Sequence, residues 1–268
     1  MRFALLNSGI GLLAAASELH RLRPDADLVI AMDPDGMPWG PRTPADIAER
    51  SLAIARVAAS YEPDVIVMAC NTGSVHALDA LRSEFELRIP VVGTVPTIKP
   101  AAAVAGSVAI WATVATTASE YQRKLIEEFG GQAVVTPVAC PGLATAIDAG
   151  DHDAIETAIA DAARRTPDGC GAVVMGCTEY ELAADQIIAA VPGAALFGSA
   201  GAVAAQALRR AVRAGGAADL VSDGETGTLS VLLSGRRADL PPAALQYRQG
   251  RELALLAAGF DPAAEPAV

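Results

Sequence analysis

Short β-branched and apolar runs alternate with Ala-rich helical stretches along the chain. Phe3–Leu6, Leu28–Ala31, Val65–Ala69, Pro90–Val92, Val108–Trp111, Val134–Pro137, Ala172–Gly176 and Ala195–Phe197 predict strands. Strands spaced in this way by helices are the mark of βαβ units and parallel sheets, so the predicted class is α/β. One helix start is well marked. Thr43 precedes Pro44, which suits a first helical turn, and Asp46 stands at capping-box spacing; this helix should end before Pro63.

The pattern occurs twice. Pro63-Asp64, the strand at Val65, Cys70-Asn71-Thr72 and Val92-Gly93-Thr94 reappear as Pro167-Asp168, the strand at Ala172, Cys177-Thr178 and Phe197-Gly198-Ser199. The prolines lie 104 residues apart, the cysteines 107 and the glycines 105, a slip that fits a short insertion around Gly169–Gly171. Phe3 and Val108 keep the 105-residue offset. Two pseudo-symmetric α/β domains follow: residues 1–95 with 206–268, and residues 96–205. The segment after about residue 205 is expected to return to the first, with Val221–Gly227 and Pro241-Pro242 as connections.

Of the 268 residues, 52% are hydrophobic and 19% charged, which excludes a disordered or fibrous chain. A net charge of −11 argues against nucleic acid or an anionic membrane as partner, and the apolar stretches are too interrupted to span a bilayer. Arg2 followed by Phe3–Ala16 has the outline of a secretory signal. Asn7, Ser8, Gly9 and Gly11 interrupt it, however, and it reads better as a strand, a turn and a helix start. Four cysteines without zinc-type pairing or a small disulfide framework suit reduced thiols in the cytoplasm. His20, His76 and His152 are not spaced as metal ligands, and Lys99 has no pyridoxal phosphate motif around it, so neither a metal cluster nor pyridoxal phosphate is expected.

Cys70 and Cys177 each follow the C-terminal end of a strand, where open α/β sheets bind ligands and the next helix points free N–H groups. That position is expected to lower a thiol pKa from about 8.5. If the halves face each other, one thiol stands on each wall of the cleft. Such a pair can take a proton from one face of a tetrahedral carbon and return one to the other, inverting it. The carbanion needs a gripped α-carboxylate, for which Asn71, Thr72, Thr178, Thr113, Thr116 and Thr117 are suitable.

Asn7-Ser8-Gly9-Ile10-Gly11, Pro38-Trp39-Gly40, Ala69-Cys70-Asn71-Thr72, Val92-Gly93-Thr94-Val95-Pro96, Ala112-Thr113, Ala115-Thr116, Cys140-Pro141 and Gly176-Cys177-Thr178 resemble the glutamate racemase family of the aspartate/glutamate racemase superfamily. The resemblance implies a site between two α/β domains and racemisation without cofactor or metal. It implies Cys70 and Cys177 as the catalytic pair, with Ser8, Pro38, Trp39, Gly40, Asn71, Thr72, Thr113, Thr116 and Thr178 around the substrate. Asp148 falls near a family acidic position. Two positions depart from the family: Asn7 stands where glutamate racemases carry Asp, and Glu179 where they carry His. Glu179 resembles the aspartate racemase branch. The assisting carboxylate is therefore expected to have moved to the second half, with Asn7 orienting and Glu179 holding the ammonium or relaying a proton for Cys177. Like-charge repulsion should then make Cys177 the thiol and Cys70 the thiolate. Trp39, in place of the family's Tyr, either reshapes the side-chain end of the pocket or packs.

Other readings compete. Gly9-Ile10-Gly11-Leu12-Leu13-Ala14 with Asp33 matches a dinucleotide fingerprint and would suit an NAD-dependent oxidoreductase, though it leaves the duplicated cysteine motif unexplained. Aspartate racemase, an epimerase of another amino acid, maleate isomerase-like or decarboxylase-like chemistry, and a non-catalytic amino-acid binder also fit parts of the pattern. A small-molecule amino acid is the expected partner, and a homodimer is compatible with the sequence.

Overall fold

The protein is described from a computed structural model covering residues 1–215 and 226–257; residues 221–225 of the expected Val221–Gly227 connection lie outside them. Ten strands are present among the described residues: β1 (Arg2–Asn7), β2 (Asp27–Met32), β3 (Val65–Met68), β4 (Val91–Gly93), β5 (Ser107–Ala112), β6 (Val134–Ala139), β7 (Ala172–Met175), β8 (Ala195–Phe197), β9 (Leu229–Leu233) and β10 (Arg236–Arg237). The first eight match the eight predicted strands. They form two sheets, ordered β10-β9-β2-β1-β3-β4 and β6-β5-β7-β8, parallel throughout except for the β9–β10 hairpin. The orders β2-β1-β3-β4 and β6-β5-β7-β8 are the same arrangement repeated. In register, Phe3 faces Leu28 and Val65, and Val108 faces Val135 and Ala172. The slip between copies falls where Gly169 adopts φ +69°, a turn that only glycine enters without strain. β9 lies beside β2 in the first sheet.

Period-two alternation feeds two cores in the first half. Phe3 and Leu5 face the helices Leu12–Leu22 and Ala200–Arg213, while Ala4 and Leu6 face Pro44–Ala59 and Leu78–Phe85. Thr43 does cap Pro44–Ala59, its hydroxyl accepting the Asp46 N–H at 3.2 Å. The Asp46 carboxylate turns to Arg42 and Arg50 instead of completing a capping box.

The repeat is packed asymmetrically. Ala109 and Trp111 of β5 join the same core as Phe3 and Leu5, whereas Val108 and Ile110 face Ile98 and Leu125. Positions 105 apart therefore point into different cores, and opposite faces of the two sheets share the central one. Cys70 belongs to the outer core of the first half, while Cys177 packs against the shared one. Two thiols from one duplicated motif thus have unlike surroundings. No helix among the described residues is long and apolar enough to cross a membrane.

Candidate active site

The carboxyl ends of β1, β3, β5 and β7 open into one cavity of about 430 Å³, walled by both halves. Cys70 caps the helix Asn71–His76, its sulfur accepting the Gly73 N–H at 3.5 Å. Cys177 precedes the 3-10 turn Thr178–Ala183 and has no such backbone bond. Ser8, Pro38, Trp39, Gly40, Asn71, Thr72, Thr113, Thr116 and Glu179 line the same cavity as the two thiols. Asn7 and Thr178, both buried, lie behind the wall. Thr117 is not on the lining, and His76 and Lys99 are exposed.

Cross-links between the halves fix the cysteine turns. Asn7 Nδ2 donates to the Ala69 carbonyl at 2.8 Å and to Thr178 Oγ1 at 3.1 Å, so it touches the residue before Cys70 and the residue after Cys177. Asn71 Nδ2 donates to the Gly176 carbonyl at 2.5 Å, the residue before Cys177. That leaves Asn71 Oδ1, a buried acceptor on a cavity-lining residue, without a protein partner among the described residues. Glu179 is 4% exposed; its Oε2 accepts from the Cys177 thiol at 2.8 Å and lies 3.3 Å from Thr178 Oγ1.

The expected lowering of the thiol pKa values is corrected by this environment. Burial pushes Cys70 up to about 12 and the Glu179 charge adds to it, while the N–H groups of Gly73, Ser8 and Thr72 pull it back. Burial also drives Cys177 well above the ordinary thiol range, reinforced by the charge and hydrogen bond of Glu179 and then by Cys70 and Asp148. A helix only six residues long and a 3-10 turn do not offset the burial of the two thiols. The local partners differ: backbone donors face Cys70, and the Glu179 carboxylate is in contact with Cys177.

Three further lining residues escaped a confident sequence reading. Asp148 enters from the helix Leu143–Ala149, and its Oδ1 accepts the Ile10 N–H at 2.9 Å; burial and the Glu179 charge raise its pKa to about 8. Thr145 lies one turn before Asp148, the only signal that could have found it, and Cys140 adds a third thiol to the wall. Trp39 both packs and lines the cavity: its indole is 1% exposed and donates to Asp33 Oδ2 at 3.0 Å.

The dinucleotide reading is corrected by the same contacts. Asp33, which would hold a ribose, is buried and bonded to Trp39, Arg50 and Ser234. The space beside Gly9 and Gly11 is filled by the carboxylates of Asp148 and Glu179. These side chains leave no room for a pyrophosphate against the two glycines.

The chain is similar to known racemases in sequence and in fold. A glutamate racemase of Herpetosiphon aurantiacus is 36% identical over 211 residues, spanning 76% of this chain and 82% of the relative. One from Pseudomonas putida is 31% identical over 225 residues, spanning 82% and 83%. The solved Escherichia coli glutamate racemase, in complex with L-glutamate and the activator UDP-MurNAc-Ala, superposes with a TM-score of 0.77 at 27% identity and covers 91% of each chain. The Asp/Glu/hydantoin racemase profile matches residues 7–208, which hold both cysteines, both carboxylates and the amides that tie the two halves together. By sequence, by fold and by the paired thiols in its cleft, the chain belongs to the Asp/Glu/hydantoin racemase family.

Proposed function

We propose that the protein is a cofactor-independent glutamate racemase, in which Cys70 and Cys177 exchange protons with opposite faces of Cα. The observation that carries this reading is the pair of thiols in one cavity, one from each half, with unlike partners. In one direction the Cys70 thiolate, facing three backbone N–H groups, removes the Cα proton and the Cys177 thiol supplies one to the other face. The reverse direction starts from the protonation state the first one leaves. The Cys177 thiolate removes the Cα proton, and the Cys70 thiol, which holds the proton taken earlier, supplies one to the other face, with Glu179 beside the Cys177 sulfur at 2.8 Å. Asp148, Glu179 and the Oδ1 of Asn71, which has no partner among the described residues, suit the substrate ammonium, which brings positive charge to a cavity whose described lining holds no Lys, Arg or His. The hydroxyls of Ser8, Thr72, Thr113 and Thr116 suit the carboxylates, where charge develops as the proton leaves. Asn7 and Thr178 hold the two turns in register.

The same reading includes a cytoplasmic setting, which four free thiols suit, and a homodimer that light scattering would test. The deciding experiment is proton NMR of Cα–H exchange in D₂O with both enantiomers of glutamate and aspartate and a panel of other amino acids. Exchange with inversion of glutamate, lost in Cys70→Ser and in Cys177→Ser, is expected. Exchange with aspartate alone would move the assignment to that substrate, and exchange with none would remove the racemase reading.

A further inference from the structure

The helix Leu12–Leu22 lacks its own N-terminal chemistry. Gly11 stands at the cap position with φ −58° and ψ −20°, no side chain caps the helix, and its first turn has no acidic residue. Helices with that vacancy ordinarily recruit Ser, Thr, Asp or Asn locally. Here the carboxylates come from the other half. Asp148, 138 residues away, accepts the Ile10 N–H at 2.9 Å, and Glu179 lies against Gly11. Both charges are favoured by the positive end of the helix.

Neither Gly9 nor Gly11 has a positive φ, so backbone conformation does not demand glycine at either site. Space does. A Cβ on Gly11 would come within 2.6 Å of both Glu179 Oε1 and Thr178 Oγ1, and a Cβ on Gly9 would overlap the Asp148 carboxylate. By contrast, a Cβ on Gly106 would meet nothing.

We propose that Gly9 and Gly11 are positioning residues of the reaction: their bare Cα atoms form a notch that seats Asp148 and Glu179 across the cleft, and this seating sets Glu179 against the Cys177 thiol. The glycines that imitate a dinucleotide fingerprint thus serve to bring two carboxylates of the second half onto the first. The groups that face Cys177 are Glu179, Cys70 and Asp148, with Tyr180 behind. Of these, Glu179 is the one in contact with the thiol and with the notch. The kinetic consequence rests on the racemase reading; the seating itself does not.

The test uses the full chain and the variants Gly11→Ala, Gly9→Ala, Gly9→Ala/Asp148→Ala and Gly106→Ala. Three quantities are read: glutamate racemisation, the pH dependence of Cys177 alkylation by iodoacetamide mapped by mass spectrometry, and the melting temperature. Gly11→Ala is expected to lower kcat by about tenfold to 10²-fold, as an ångström-scale displacement of a catalytic group does, while Gly106→Ala stays within about twofold. It should also move Cys177 alkylation to lower pH, because the Glu179 charge is pushed off the thiol. Gly9→Ala should lower the melting temperature, and removing the Asp148 side chain in the double variant should restore it.

An unmoved alkylation curve in folded Gly11→Ala overturns the proposal, as does a double variant no more stable than Gly9→Ala. If Gly11→Ala does not fold, the Gly9 pair alone decides. If the wild-type protein exchanges no amino acid, the racemase reading fails, and the alkylation and melting results still decide whether the notch exists.

Discussion

Glu179 accepts the thiol proton of Cys177 at 2.8 Å, although the two residues are neighbours but one in a 3-10 turn and come from the same half of the molecule. In the first half, Asn7 carries no charge and donates to the Ala69 carbonyl and to Thr178 Oγ1. Under the proposed mechanism, assistance to proton transfer is therefore one-sided. One thiol has a carboxylate, and the other has only backbone N–H groups.

Glu179→Gln keeps the size of the side chain and removes its ability to take a proton. Turnover should fall by about 10²-fold, the lower end of what a positioned acid–base group contributes. Because the carboxylate raises the Cys177 pKa, the limb of the pH–rate profile that belongs to this thiol should also move to lower pH. Steady-state racemisation followed by circular dichroism between pH 6 and 10, by order-of-magnitude choice about the ordinary thiol range, checks both effects. Unchanged turnover would remove Glu179 from the mechanism.

Asn7→Asp restores the residue usual in glutamate racemases and is expected to harm this protein. Both groups that Asn7 Nδ2 meets include an acceptor, the Ala69 carbonyl at 2.8 Å and Thr178 Oγ1 at 3.1 Å. A carboxylate oxygen would face the carbonyl oxygen with like partial charge and add a further acidic group beside Asp148 and Glu179. A loss of about 1–3 kcal/mol in urea unfolding is expected, the cost of an unpaired buried polar group. A gain in both stability and kcat would show that the amide is a defect instead of a strap.

The duplicated architecture was legible because strands and turns are local: Val65 and Ala172, or Cys70 and Cys177, declare themselves by neighbouring residues and a near-constant offset. The cavity residues Ser8, Trp39, Thr72 and Thr113 followed from the same end-of-strand logic and from family resemblance. What escaped depends on distance in the chain. Asp148 meets Ile10 across 138 residues, and no local spacing encodes that contact. The thiol pKa values were misjudged because a helix terminus is visible in sequence whereas the burial that outweighs it is a property of the packed halves. Strands β9 and β10 lie far from β2 in the chain and have no counterpart in the repeat. The Gly-x-Gly pattern misled for a related reason, since glycine records only that something approaches closely, and here that something is a carboxylate.

Trp39→Phe should separate packing from polar support. The indole N–H donates to buried Asp33, which also meets Arg50 at 3.2 Å and Ser234 Oγ at 3.1 Å. Phenylalanine keeps most of the apolar wall and removes one of the three donors. A stability loss of about 1–2 kcal/mol is expected, together with a higher KM as the cavity widens beside Cys70, and unfolding plus steady-state kinetics reads both. Equal KM values would assign Trp39 to packing alone.

Asp148→Asn should reverse a pH dependence of stability. The folded protein holds the Asp148 pKa at about 8, above the ordinary 3.8, through burial first and the Glu179 charge second. The folded state therefore keeps a proton that the unfolded chain has released, so the favourable contribution is complete below about pH 4 and is lost as the pH rises through about 8. Above that, two carboxylates share one end of the helix Leu12–Leu22, whose positive pole offsets only part of their repulsion. Asparagine still offers an oxygen to the Ile10 N–H without the charge. In urea unfolding, variant and wild type should converge near pH 5, and the variant should be more stable by about 1–3 kcal/mol near pH 9. Parallel curves across that range would mean that Asp148 ionises freely in the folded protein and that its seat against Gly9 is open to water.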